Sequence, residues 1–187
     1  IMGASKRFAE LIVQSLNSKS ETRFMVVRFG NVLNSAGSVV PLFEKQIVQG
    51  GPVTVTHPEA TRYFMSIPEA CQLIMEASSV GMGGEVFVLD MGEPVSITFL
   101  AEQMIKLSGR SVDLTFTGLR EGEKLEEELF FDFEQLQATN NKKLFVSNVE
   151  SLRWSVLSDK LEAVRFAVND FSEKKIIEIL KEVTHLN

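Results

Sequence analysis

Apolar residues recur along this chain at two spacings, and the spacing changes from segment to segment. Between Gly3 and about Ser18, Phe8, Leu11, Ile12, Ser15 and Leu16 fall at helical intervals, with Arg7, Glu10 and Gln14 on the other side. That pattern predicts an amphipathic helix. No turn or cap residue precedes Met2, so this helix is expected to have lost the chain that leads into it. The run Arg23 to Arg28 (RFMVVR) is short, β-branched and apolar, as a buried strand requires. It ends in Phe29-Gly30-Asn31, a strand-end loop, and Ser35 to Ser38 forms a second loop of small residues.

A helix is predicted from Val39 to about Gln49, stopped by Gly50-Gly51-Pro52. Val53 to Thr56 alternates with a period of two and reads as a strand. Ser66 and Glu69 have the spacing of a capping box ahead of the stripe Ala70, Leu73, Ile74 and Ala77. Gly81 to Gly84 breaks that helix, and Glu85 to Met91 predicts a second buried strand. Ser96 or Thr98 can cap a helix that ends before Gly109. Asp113 to Phe116 and Lys143 to Val146 are further strands. Two helices close the chain, with stripes Leu161-Val164-Val168 and Ile176-Ile179-Leu180-Val183. Strands alternating with helices predict an α/β fold.

Composition narrows the function classes. The chain has 187 residues, 44% hydrophobic and 24% charged, with a formal net charge of −6. An acidic total argues against a general nucleic-acid binder. One cysteine, Cys71, excludes an intrachain disulfide and a cysteine-rich zinc site, and it fits a reducing compartment. His57 and His185 lack metal-ligand spacing, so no metal is expected. No apolar run approaches the roughly 20 residues of a membrane span, and no signal-peptide core is seen. A cytoplasmic protein without membrane contact by this segment is the expectation.

Four segments carry candidate chemistry. Met2 and Lys6, four residues apart on a helix, project to one face. A lysine there can hold ribose hydroxyls and lend positive charge to an acid/base group, although an amphipathic helix also presents lysines simply to water. The strand RFMVVR delivers Gly30 and Asn31 to its carboxyl end, where open α/β sheets bind ligands. Gly30 permits close backbone approach and Asn31 offers donor and acceptor; an ordinary turn uses the same residues. Arg62, ahead of a capped helix, has the planar fork that suits a diphosphate. His57, in the same segment, reads as a surface loop residue. Arg120 precedes the acidic run Glu121 to Glu128, which is expected to be a solvated helix face with Arg120 either its ion-pair partner or a ligand contact. No Gly-x-Gly-x-x-Gly turn joins a strand to a helix, and Gly81 to Gly84 precedes a strand instead of following one. An autonomous dinucleotide site is therefore not expected.

The order MGASKR, RFGNVLNSAGSVVPLF, PVTVTHPEATRYFMSIPEA, GEVFVLDMGEPVSI and GLREGEKLEEELF resembles bacterial polysaccharide-biosynthesis dehydratases acting on UDP-N-acetylglucosamine, in the extended short-chain dehydrogenase/reductase superfamily. The likeness runs to about Phe131. Most of that superfamily carries Tyr-x-x-x-Lys; here Met2-x-x-x-Lys6 stands in its place, as in the large membrane-associated dehydratases. The resemblance implies oxidation of the sugar at C4 by hydride transfer to NAD or NADP, loss of water across C5 and C6, and return of hydride at C6. It implies that Met2 and Lys6 sit at the catalytic centre and that Lys6, Gly30, Asn31 and Val32 line the cofactor. Asn31, Val39, Pro41, Thr54, Thr56, Arg62, Arg120 and Glu123 would bind the UDP-sugar: Val39 and Pro41 beside the uracil, Thr54 and Thr56 nearby, Arg62 and Arg120 on the diphosphate, Glu123 on a hydroxyl. A thioether has no ionisable proton, so the base for the 4-hydroxyl must lie elsewhere.

By that resemblance, residues 1–187 are one truncated domain, the carboxy-terminal portion of an extended short-chain dehydrogenase fold with an incomplete cofactor site. Residues 1–110 would be mostly residual Rossmann elements with substrate-lobe insertions, and 111–187 mostly substrate lobe and closing helices. The membrane helices that anchor full-length relatives would be missing. The strands RFMVVR and EVFVLD, deprived of neighbours, are expected to drive self-association, since monomers rarely expose apolar patches beyond the order of several hundred Å². A UDP-sugar 4-epimerase fragment and a non-catalytic nucleotide-sugar-binding module remain as alternatives.

Overall fold

In the computed structural model, which describes residues 2–128, 135–149 and 151–184, the chain begins with helix α1 (Met2–Asn17), strands β1 (Val26–Arg28) and β2 (Asn31–Val32), and helix α2 (Val39–Val48). Strands β3 (Val53–Val55), β4 (Thr61–Arg62) and β5 (Phe64–Met65) lead into α3 (Ile67–Val80), β6 (Val86–Leu89) and β7 (Val95–Ser96). Then come α4 (Ile97–Ser108), β8 (Leu114–Phe116), β9 (Leu136–Ala138), β10 (Leu144–Ser147), α5 (Trp154–Asn169) and α6 (Glu173–Thr184).

The main sheet has the order β1-β6-β10-β9. β1 and β6 are parallel, as the two apolar runs require, with Val26 opposite Val86 and Arg28 opposite Val88. All four residues of β6 are buried, which is why its sequence is apolar at every position instead of alternating. β1 is shorter than the run RFMVVR predicts. The Phe24 amide bonds the Asn17 side chain at 3.0 Å and its carbonyl accepts the Gly84 amide at 2.7 Å, so the ladder opens only at Val26.

Alternation along β1 and β6 sorts the helices onto two faces. Val27, Phe87 and Leu89 pack with Ala70, Leu73 and Ala77 of α3. Arg28 points the other way and meets Glu10 of α1, so α1 covers the opposite face. The sequence pattern placed Arg7, Glu10 and Gln14 on a solvent side; instead Arg7 and Gln14 are buried on the side toward the sheet, where Arg7 and Arg28 share Glu10 and Gln14 donates to the Gly84 carbonyl, while α5 and α6 close over the other flank of α1. There Phe8 and Leu11 meet Leu157, Leu180 and Val183. The stripe of α5 shifts accordingly: Leu157 and Ala167 are buried while Val168 is half exposed. The stripe of α6 lies as its spacing predicts.

A second hydrophobic core forms around Phe43, Ile47, Val53, Val55, Ala60, Ile97 and Ala101, from α2, β3, α4 and the parallel partner β8. Not all the chain after residue 111 joins it. β10 runs antiparallel on β6, with Val146 opposite Phe87, and α5 and α6 pack on α1, so much of 135–184 completes the main sheet and its helical layer. Buried Leu144 explains the return, since it fills the same core as Leu89.

Caps follow the sequence with one change. Ser66 accepts the Glu69 amide at 3.3 Å, but the Glu69 carboxylate forms an ion pair with Lys143, tying α3 to the start of β10. Ser96 caps α4 through the Phe99 amide at 3.2 Å, while the Thr98 hydroxyl bonds the Pro58 carbonyl. Gly109, with φ 67°, ends that helix in the left-handed region.

Candidate functional site

Arg28, at the end of β1, leads directly into Gly30 and Asn31. β2 then pairs in parallel with β5, and the Asn31 amide donates to the Tyr63 carbonyl at 2.8 Å. Gly30 has a role different from the expected approach of a ligand. A Cβ there would lie 2.9 Å from both Cβ and the carbonyl oxygen of Tyr63, and 3.1 Å from Cε of Met91. Its amide also points at Met91 Sδ, 3.3 Å away. Packing of the protein on itself accounts for this glycine.

Tyr63 separates β4 from β5, so Arg62 stands one residue from the carbonyl that holds Asn31. On the other side of that strand a polar cluster forms. The Thr56 hydroxyl donates to Glu123 Oε1 at 2.9 Å, and the Arg120 amide donates to Glu123 Oε2 at 3.2 Å. Arg62 Nη1 donates to the carbonyls of Thr61 at 2.7 Å and Leu125 at 2.9 Å; Nη2 donates to the Lys124 carbonyl at 3.0 Å. Its Nη2 lies 3.5 Å from Glu123 and its Nε 3.3 Å from Glu127. Partial burial pushes the Glu123 carboxyl up, but the Arg120 amide, the Thr56 hydroxyl and the Arg62 and Arg120 guanidiniums outweigh it. Together they hold Glu123 below the ordinary carboxylate value of 4.5.

The acidic run is therefore not the solvated helix face that its composition predicts. Glu123 and Glu127 turn inward to Arg62, and residues 117–128 adopt turns and irregular backbone. The Arg62 guanidinium is engaged in every donor direction by the protein's own carbonyls and carboxylates. It is not open to a diphosphate in this conformation, whereas Arg120 is exposed.

Thr54 is held by a residue that sequence reading missed. Gln46 of α2 donates to Thr54 Oγ1 at 2.7 Å and accepts the Thr54 amide at 3.0 Å, closing a two-bond clasp between helix and strand. A glutamine eight positions before a threonine carries no motif, so only the structure reveals it. Val39 and Pro41 lie half-buried in the first turn of α2. The preceding Ser38 makes no side-chain cap bond, and its hydroxyl oxygen is buried without a partner among the described residues.

Met2 and Lys6 stand apart from this cluster on the exposed amino-terminal turns of α1, Met2 being 72% exposed. His57 accepts the Glu59 amide at 3.2 Å through Nδ1, an ordinary turn contact. The Gly81 to Gly84 turn is closed to a phosphate as well as misplaced for one. The Glu85 carboxylate already accepts the Met82 and Gly83 amides, both at 2.7 Å. Among the described residues no group of three or more His, Cys, Asp and Glu is placed to hold a metal ion. His185 lies outside the described residues, as does the stretch 129–134 that includes Phe131. No described helix is long and apolar enough to cross a membrane.

Comparison with known proteins gives this geometry a context. The family described as polysaccharide biosynthesis protein matches residues 1–149. The capsular polysaccharide biosynthesis protein CapD of Staphylococcus aureus is 49% identical over 183 residues, which is 96% of this chain and 30% of that protein. The chain thus spans less than a third of the length of that relative. A UDP-glucose 4-epimerase of Rickettsia canadensis is 38% identical, over 69% of this chain and 38% of that protein. The X-ray structure of Pen from Bacillus thuringiensis matches with a TM-score of 0.70 at 38% identity, covering 81% of this chain and 49% of that one. The dTDP-glucose 4,6-dehydratase DesIV from Streptomyces venezuelae, solved with NAD bound, matches with a TM-score of 0.61 at 18% identity, covering 68% and 41% respectively. That last likeness is one of fold. The parallel β1–β6 pair, the helices on both its faces and the family match agree: the chain belongs to the polysaccharide biosynthesis protein family, with the α/β fold of the extended short-chain dehydrogenases.

Proposed function

We propose that this chain is the substrate-binding and partial catalytic half of an NAD(P)-dependent UDP-N-acetylglucosamine 4,6-dehydratase of bacterial surface polysaccharide biosynthesis. The observation that supports it best is the meeting of Thr56, Arg62 and Glu123 around one strand that also holds Asn31 through Tyr63. Segments more than 60 positions apart in sequence converge there, as a site built from several loops requires. Arg120 is the exposed cation for the diphosphate. Arg62 reaches a diphosphate only by exchanging Glu123 and Glu127 for phosphate oxygens. Val39 and Pro41 border the base, with Thr54 and Thr56 beside them.

The described residues fit one end of a dinucleotide. Lys6 brings an exposed ammonium for ribose hydroxyls, and Asn31 with Val32 brings a half-buried amide edge. Among the described residues no glycine turn is placed to cradle the phosphates, since Gly81 to Gly84 precedes a strand and has its amides closed by Glu85, so the cofactor site within these residues is incomplete. When bound, the cofactor supplies the hydride acceptor that oxidises C4 and the donor that reduces C6. Met2 contributes apolar surface and no proton. The single cysteine suits a cytoplasmic setting. β1 stands at the end of the main sheet among the described residues, and that outer edge is where self-association would occur.

A second reading, a UDP-sugar 4-epimerase, is favoured by the relatives that bear that name. One experiment separates the readings. This chain alone is expected to be inactive, so it is completed with the upstream half and incubated with UDP-N-acetylglucosamine and NAD, and the product is read by mass spectrometry and proton NMR. Loss of one water with a new 6-methyl signal supports the dehydratase, and an isomer of unchanged mass supports the epimerase. Tight UDP binding without turnover, even when the upstream half is supplied, would leave a binding module in their place.

A further inference from the structure

Glu10 sits at the meeting point of the two elements that carry the candidate catalytic and cofactor residues. Met2, Lys6 and Glu10 follow one another at four-residue steps on α1 and so share one stripe of the helix. The Glu10 carboxylate receives Arg28 Nε on Oε1 and Arg28 Nη2 on Oε2, both at 2.6 Å, a two-point contact. Oε2 also receives Arg7 Nη1 at 3.0 Å. The side chains of Arg7, Arg28 and Glu10 are 7%, 12% and 15% exposed, so the contact is largely withdrawn from water. Arg28 is the last residue of β1, two positions before Gly30 and three before Asn31.

A parallel two-point bond between a carboxylate and a guanidinium fixes rotation as well as distance, which a single ion pair does not. Apolar packing on α5 and α6 and the Gln14 bond to the Gly84 carbonyl also hold α1, but the Glu10–Arg28 contact acts on the very residue of β1 that leads into the Gly30–Asn31 loop. We infer that Glu10 is a positioning residue, which through Arg28 sets the Met2–Lys6 face of α1 in register with the Gly30–Asn31 loop. This inference rests on the dehydratase reading for its catalytic consequence, but not for its structural one. Sites of this kind lose rate when geometry slips by about 1 Å, well before the fold is lost.

The test uses Glu10→Gln, which keeps the shape but removes the charge, and Arg28→Lys, which keeps the charge but loses the fork. Amide hydrogen exchange is followed in this chain at Asn31 and Leu33, with Ala101 of α4 as the internal control. Exchange at Asn31 and Leu33 is expected to rise at least tenfold in both variants while Ala101 is unchanged. In the turnover-competent protein, kcat is expected to fall at least tenfold in both, with the KM for nucleotide sugar altered less than threefold. Equal acceleration at all three amides would reduce the triad to a general stabiliser and overturn the inference. So would an Arg28→Lys variant indistinguishable from the unaltered protein. Absence of turnover in the unaltered protein would instead count against the dehydratase reading, and the exchange measurement would still decide the role of Glu10.

Discussion

Arg62 lies 3.5 Å from Glu123 while donating to the carbonyls of Lys124 and Leu125, the two residues that follow it. One guanidinium therefore secures a segment that has no regular secondary structure of its own. Its planar donors face carbonyl oxygens that would otherwise be under-satisfied in a half-buried loop, which is why an arginine serves here where a lysine would not.

Replacing Arg62 tests this directly. Arg62→Ala is expected to lower stability by about 2–3 kcal/mol, the scale for losing hydrogen bonds to a charged group. Arg62→Lys should recover less than half, since an ammonium cannot reach the same carbonyls and carboxylates together. Urea denaturation measures both, and a loss in the alanine variant below about 0.5 kcal/mol would mean that the loop is held by other means.

Acid should loosen the same segment. Glu123 is held below its ordinary value of 4.5 in the folded protein, so its carboxylate contributes stability that is fully present above that value. The contribution disappears as pH falls from about 4.5 through the lower folded value, because the neutral acid binds the Arg120 amide and the Thr56 hydroxyl less strongly and no longer attracts Arg62 and Arg120. Comparing Glu123→Gln with the unaltered protein by denaturation between pH 3 and pH 6 (an interval of about three units around that value) should show the two curves converging toward acid. Parallel curves would remove Glu123 from the account.

At Gly30 even a methyl group is too large. Gly30→Ala sets a Cβ 2.9 Å from the Tyr63 backbone oxygen, and backbone cannot move aside as a flexible side chain can. A destabilisation of about 1–3 kcal/mol is expected, the usual scale for overpacking. A thermal melt unchanged from the native protein would refute the packing explanation and restore a ligand-based one.

Lys6 is predicted to behave in the opposite way. It is exposed, so Lys6→Met should leave the stability within about 0.5 kcal/mol. In the protein completed by its upstream half, turnover of nucleotide sugar should nevertheless fall at least a hundredfold, for want of the cation at the ribose (roughly the scale of losing one positioned catalytic group). Full turnover with methionine at this position would exclude Lys6 from the site.

Self-association is open to light scattering on the chain as it stands. The place of β1 at the end of the main sheet among the described residues, together with exposed apolar side chains on α3 such as Met75 at 65% and Ile67 at 51%, predicts species larger than a monomer. A stable, concentration-independent monomer would show that these surfaces tolerate water.

Much of the architecture was legible in the sequence because it depends on local patterns. β6 has an unbroken apolar run, α3 has its cap serine, and α4 ends at a glycine that adopts the left-handed region. The two-residue strands β2, β4, β5 and β7 were not legible, since two residues carry no period. β9 was missed for a related reason: it is mostly exposed and pairs only along the outer edge of β10. In the candidate site, residues such as Thr56, Arg62 and Glu123 could be named from the chain, but Gln46 and Glu10 could not.

What the sequence determined by itself is the helices, the strands long enough to carry a period, most of their apolar faces and the family, because periodicity, capping and motif order all act over neighbouring residues. The tertiary structure alone decided which side of α1 is buried, that β10 returns to β6, and that Arg62 is engaged by Glu123 and Glu127. Those outcomes depend on desolvation. A charged or polar residue is read as surface until a partner from a distant segment meets it, and Arg28 on Glu10 and Glu123 on Arg62 are such partners.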